Sequence, residues 1–131
     1  MPGEVSTIFT VIDLCLKFLG LVRKGKLKRD ERQDERITIL YDVLSETQSY
    51  IARLNRGDKR DRNVERNLAR SWRRASLQLR PIDPEFAQIC FDKGSFWTDP
   101  DYWSHEDIKK AKIGIDNVCQ KAKEMLKKSA I

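Results

Sequence analysis

Residues 5–24, VSTIFTVIDLCLKFLGLVRK, are apolar on nearly every side of a helix. The polar or small positions Ser6, Thr10, Asp13, Lys17, Gly20 and Lys24 recur at steps of three and four, so they share one narrow stripe. A helix with so little polar surface needs other helices to cover it. The rest of the chain must therefore supply amphipathic elements long enough to surround this one.

It does so at helical spacing. Over 31–56, Ile37, Leu44 and Ile51 lie seven apart with Leu40, Tyr41 and Leu54 on the same face, while Thr47 and Gln48 interrupt the seam. Glu31, Glu35, Asp42 and Glu46 project from the other side, and the NRGDK stretch at 55–59 breaks the helix. A third helix is expected over about 59–80, with Val64, Leu68, Trp72, Ala75 and Leu79 within about 80° of one another. Pro81 stops it, because proline disfavours the helical conformation in the residue before it.

The segment 81–104 differs in character. Asp83-Pro84 and Asp99-Pro100 each read as an N-cap followed by proline at the first helical position. The expectation is short helical turns within 83–103, with Gly94 ending the first. Ser104 and Asp107 form a capping-box-like start for a last helix over 105–129, whose inner face carries Ile108, Ala111, Ile115, Val118, Cys119, Ala122, Met125 and Leu126. The pattern predicts one all-α domain over 1–131: an antiparallel four-helix bundle with helices at about 5–24, 31–56, 59–80 and 105–129. The long aromatic, acidic, partly helical connection between helices 3 and 4 would cap one end.

Seven arginines fall within residues 60–80. Arg62, Arg66, Arg70, Arg73, Arg74 and Arg80, with Lys59, occupy an arc about 120° wide that lies nearly opposite the apolar residues of the third helix. Arginine grips carboxylates and phosphates through a flat, two-pronged donor set that lysine cannot copy. Residues 58–80 carry a net charge of +5 and residues 81–104 a net −4, within a total of +6. Such polarity favours an acidic protein surface or another copy of the chain as partner. It also leaves open that the acidic segment neutralises the arginines from within. Six of the eleven aromatic residues lie in 81–104, and Trp97, Tyr102 and Trp103 are the candidates there for an exposed contact.

Two other partners fit less of the pattern. The first helix with its basic flank, RKGKLKR, suits an anionic membrane, and by architecture alone resembles helical-bundle domains of cell-death and defence proteins that act on membranes. Against a span stand Asp13 and Lys17, each costing about 2.5–3.5 kcal/mol at mid-bilayer. A nucleic-acid backbone would suit the arginines, but Trp72 lies on the apolar face, and helix-turn-helix, zinc-finger and RNA-recognition signatures are missing.

Enzyme chemistry has little to work with. His105 is the single histidine, and Thr98, Asp99 and Pro100 stand where helical-bundle ribonucleases of the HEPN type place an arginine. Phosphate-binding glycine loops and nucleophile elbows are absent from the sequence. Cys15, Cys90 and Cys119 are odd in number and widely spaced, which argues against a disulfide framework or a zinc site and for reduced thiols. Neither cofactor nor metal is expected. The MPGEVS start lacks a secretory pattern, so the expected location is cytoplasmic, with a peripheral place at a membrane as the alternative. The functional expectation is a small non-enzymatic module that binds through the arginine face of helix 3.

Overall fold

The computed structural model describes residues 10–20, 31–111 and 113–129, with backbone alone at 31–34 and 126–129. The described residues are all-α: α1 over residues 10–20, α2 (Glu31–Asn55), α3 (Arg62–Leu79), α4 (Pro84–Thr98), a 3₁₀ turn (Pro100–Tyr102), α5 (His105–Ala111) and α6 (Ile115–Ser129). No strand occurs among them.

Local chemistry sets most of the boundaries. Beyond α2, Gly57 takes φ +95°, the left-handed region that glycine enters without Cβ strain. There the Gly57 N–H donates to the Leu54 carbonyl and the Asp58 N–H to the Arg53 carbonyl, closing a Schellman motif. The Asp61 carboxylate accepts from the N–H groups of Asn63 and Val64 and caps α3. Asp83 caps α4 through the Phe86 N–H, with Pro84 in the first turn. Ser104 and Asp107 exchange reciprocal side-chain and backbone bonds of 3.1 Å at the head of α5, the expected capping box.

The core runs through α1 to α4 and α6. Ile12, Cys15, Leu16 and Leu19 of α1 are buried with Ile37, Leu40, Val43, Leu44 and Tyr50 of α2. The apolar face of α3 is largely as the spacing predicts: Leu68, Trp72, Ala75 and Leu79 are buried and Val64 is half-buried. Thr47, read as a break in the seam of α2, is instead a buried partner for that face. Its hydroxyl accepts from the Trp72 indole at 3.2 Å and donates to the Val43 carbonyl at 2.7 Å.

Two expectations are corrected. Residues 84–98 are one continuous helix rather than short turns, and α4 packs along α3 more extensively than any other pair among α2 to α6. Gly94 does not end it. It is buried inside α4 at the closest approach to α3: a Cβ there would sit 2.8 Å from Arg73 Cγ and 3.0 Å from the Ala69 carbonyl oxygen. The glycine lets two helices touch, and that is why it stands in mid-helix despite its low propensity. The last helix is also split: α5 ends at Ala111 and α6 begins at Ile115. Ile113 is fully buried but out of phase with Ile108, Ala111, Ile115 and Val118, and a break beside Gly114 lets both sets reach the core.

Side-chain bonds tie the helices to one another. Thr47 meets Trp72 and Arg53 meets Asp61 across α2 and α3. Ser76 meets Ala87 across α3 and α4, and Lys121 meets Glu85 across α6 and α4. The outer ends of the expected first helix, 5–9 and 21–24, its basic flank at 23–29 and the Leu126 side chain lie outside the described residues. No helix among the described residues is long and apolar enough to cross a membrane.

Candidate functional site

Packing on two sides leaves α3 with one outward strip, and the arginines divide along it. At the N-terminal end they are engaged. Glu65 is 2% exposed and lies only about 20° around the helix from Trp72, on the edge of the core face. Its carboxylate accepts from the Tyr50 hydroxyl, from Arg60 Nε and Nη2 at 3.0 Å each, and from Arg62 at 3.3 Å. Asp101, from the 3₁₀ turn, takes Arg60 at 2.7 Å and Arg62 at 3.2 Å. Burial pushes the Glu65 carboxyl upward, but the bonds from Arg60 and Tyr50 and the two guanidinium charges outweigh it and hold it below the ordinary range. Burial, with the bond to Glu65, raises the Tyr50 phenol.

This network corrects the place of Arg62 among the candidate binders: two carboxylates of its own chain already hold it. Arg60, which falls outside the arginine arc, is the stronger partner of both. Glu65 was legible as a carboxylate seven residues from Trp72. Asp101 was not, because 41 residues separate it from Arg60.

Further along α3 the guanidinium groups are open. Arg66, Arg70, Arg74 and Arg80 are exposed, and none meets a carboxylate of the described residues within ion-pair distance. Arg73 is exposed too, its guanidinium 5.4 Å from the Phe91 ring of α4. Arg70 and Arg74 edge an open groove of about 580 Å³ between α2 and α3, shared with Glu46, Ser49, Arg53 and Asn67. Arg80 edges a second groove of about 330 Å³ between α3 and α4, with Ser76, Gln88 and Phe91. The acidic segment thus lies along α3, but it covers the arginines only at one end.

The aromatic candidates separate. Tyr102 is 78% exposed. Trp103 is half-buried and edges a shallow groove with Tyr102, Asp107 and Lys110. Trp97, expected as an exposed contact, is buried instead: it packs edge-on to Tyr50 at 5.8 Å and Phe96 at 5.1 Å, and its indole N–H meets no hydrogen-bond partner among the described residues. Beside it Lys93 is only 8% exposed, its ammonium 4.9 Å from the Phe96 ring centre and 5.9 Å from that of Trp97. Burial lowers the Lys93 pKa to about 8, against the opposing pull of Cys119 and Asp116. Lys93 has no obvious sequence signal as a site, although it falls among Phe86, Ile89 and Trp97 at core spacing.

The described residues contain no cluster of acidic, histidine or cysteine side chains able to hold a metal. All three cysteines are buried as free thiols. Cys15 of α1 and Cys119 of α6 are hydrogen bonded, which lowers the first and, together with burial, raises the second. His105 is exposed in the first turn of α5.

The class these features define is an all-α protein with an arginine-studded helix face bordered by two grooves. No family model, curated protein or solved structure matches the chain.

Proposed function

We propose that the protein is a non-enzymatic interaction module that holds an acidic surface of a partner protein through Arg66, Arg70, Arg73, Arg74 and Arg80. One observation carries the reading. Within a single stretch of sequence, Arg60 and Arg62 are taken up by Glu65 and Asp101, while the arginines that follow stay exposed without a carboxylate partner among the described residues. Guanidinium groups fixed to a rigid helix suit bidentate capture of carboxylates. A second copy of the chain is the other reading, supported by the exposed Glu35, Asp42 and Glu46 of α2.

The test uses a fluorescent oligoglutamate peptide and anisotropy, with sedimentation at several salt concentrations. The protein is expected to bind the peptide, less tightly as salt rises. Replacing Arg66, Arg70 and Arg74 by Glu together should weaken binding at least about tenfold, a loss of about 1.4 kcal/mol. The thermal melt should stay close to wild type, since exposed substitutions typically shift stability by less than about 0.5 kcal/mol each. Arg73 is left intact because its stem packs on Gly94. Equal binding by the variant, or tighter binding of duplex DNA than of the peptide, overturns the reading.

A further inference from the structure

The arginine face is not purely polar. Leu77 is 61% exposed and sits inside the arc: Arg73 and Arg74 lie one turn before it and Arg80 three residues after. On the adjoining helix Phe91 is 42% exposed, with the Arg73 guanidinium over its ring. The groove between α3 and α4 places Phe91 beside Arg80. Two large apolar side chains are thus left in water at the spot where unpaired guanidinium groups are densest. Neither is needed for the core, which α3 completes with Leu68, Trp72, Ala75 and Leu79.

From this juxtaposition we infer that the surface formed by Leu77, Phe91, Arg73, Arg74 and Arg80 takes an acidic amphipathic segment of another protein, its apolar side chains on Leu77 and Phe91 and its carboxylates on the arginines. The inference rests on the reading above and narrows its partner. An apolar centre ringed by charged groups is the usual anatomy of a binding hot spot, where excluding water strengthens the flanking ion pairs. The positive ring demands a negative partner, and the exposed leucine and phenylalanine demand one that is not uniformly polar. A second copy does not meet this through α2, because the acidic side of α2 presents no large exposed apolar side chain among the described residues.

The experiment compares two synthetic peptides of equal length and equal negative charge against the full chain. One carries glutamate among small polar residues. The other carries glutamate with leucine at helical three- and four-residue spacing. The leucine-bearing peptide should bind at least about tenfold more tightly, the range expected for burying one apolar anchor. Leu77→Ser with Phe91→Ser should bring the two peptides to equal affinity. Equal binding of both peptides to the wild-type chain, or a preference that survives the double substitution, overturns this inference and leaves the arginine reading standing. Failure of both peptides to bind overturns the arginine reading and this inference together.

Discussion

Replacing Lys93 by methionine should stabilise the protein, and the gain should depend on pH in a defined way. The lysine side chain lies inside the α4 face that packs on its neighbours, and no carboxylate of the described residues forms an ion pair with it. The groups around its ammonium are the Phe96 and Trp97 rings of α4 and, from α6, Cys119 and Asp116. Asp116 favours the charged form, but burial outweighs it and brings the pKa to about 8 from the ordinary lysine value of 10.5. At about 1.4 kcal/mol per pH unit, a difference of this size corresponds to about 3 kcal/mol.

The sign follows from proton binding. Below pH 8 both folded and unfolded chains carry the proton, and the folded state bears the full penalty of a buried cation. Between about pH 8 and 10.5 the unfolded chain binds the proton and the folded chain does not, so the wild type gains stability as pH rises. Methionine fills a similar volume without the charge. Urea unfolding should therefore show Lys93→Met more stable by up to about 3 kcal/mol at pH 7, with the gap closing by pH 10 to 10.5. Other lysines and tyrosines titrate in this range, but they do so in both proteins and cancel in the difference. A gap of the same size at pH 7 and pH 10 would refute the account of Lys93 as a buried, destabilised cation.

Two further outcomes follow from the packing. Glu65→Gln should cost about 2–3 kcal/mol in denaturant unfolding, since it leaves Arg60, Arg62 and Tyr50 facing a neutral amide. In the wild type the folded Glu65 carboxyl is depressed, so its contribution is complete above the unfolded value near 4.3 and disappears as pH falls through the folded one; the variant should lack this part of the acid transition, and an unchanged acid limb counts against the network. Gly94→Ala should destabilise the fold by about 1–2 kcal/mol and lower the melting temperature, because its Cβ would press on Arg73 Cγ and on a backbone oxygen of α3, which outweighs alanine's helical advantage of about 1 kcal/mol; a raised melt would show that the α3–α4 contact is loose.

Much of the helical outline was legible in the chain because it rests on short-range chemistry. Asp83-Pro84, the Ser104–Asp107 pair and the glycine after α2 each act within a few residues, and each sits where it was read. The apolar arc of α3 was legible for the same reason, since a 3.6-residue period needs no knowledge of the partner. The role of Gly94 was not. A glycine that stops a helix and one that admits a neighbouring helix look alike in sequence, and only the approach of Ala69 and Arg73 distinguishes them. The same limit hid Thr47, whose partner Trp72 is 25 residues away, and Trp97, whose burial depends on Tyr50 of α2. Ile113 was hidden by its phase, which makes sense only once α5 and α6 are separate.

The division of the arginines has a physical logic. The N-terminal end of α3 is where its unsatisfied N–H groups and the positive end of its dipole lie, so carboxylates gather there. Asp61 caps the helix, Glu65 stands in its first turn, and Asp101 reaches in from the 3₁₀ turn. Arginines close to that end meet anions of their own chain and become part of the fold, fastening the 3₁₀ turn to the junction of α2 and α3 through Arg60 and Arg62. Two turns further on, no such collection of carboxylates occurs among the described residues. The side of α3 that remains open there carries Arg70, Arg73, Arg74 and Arg80 around Leu77. Position along the helix, rather than residue type, thus decides which arginine is held by carboxylates of its own chain and which stays exposed.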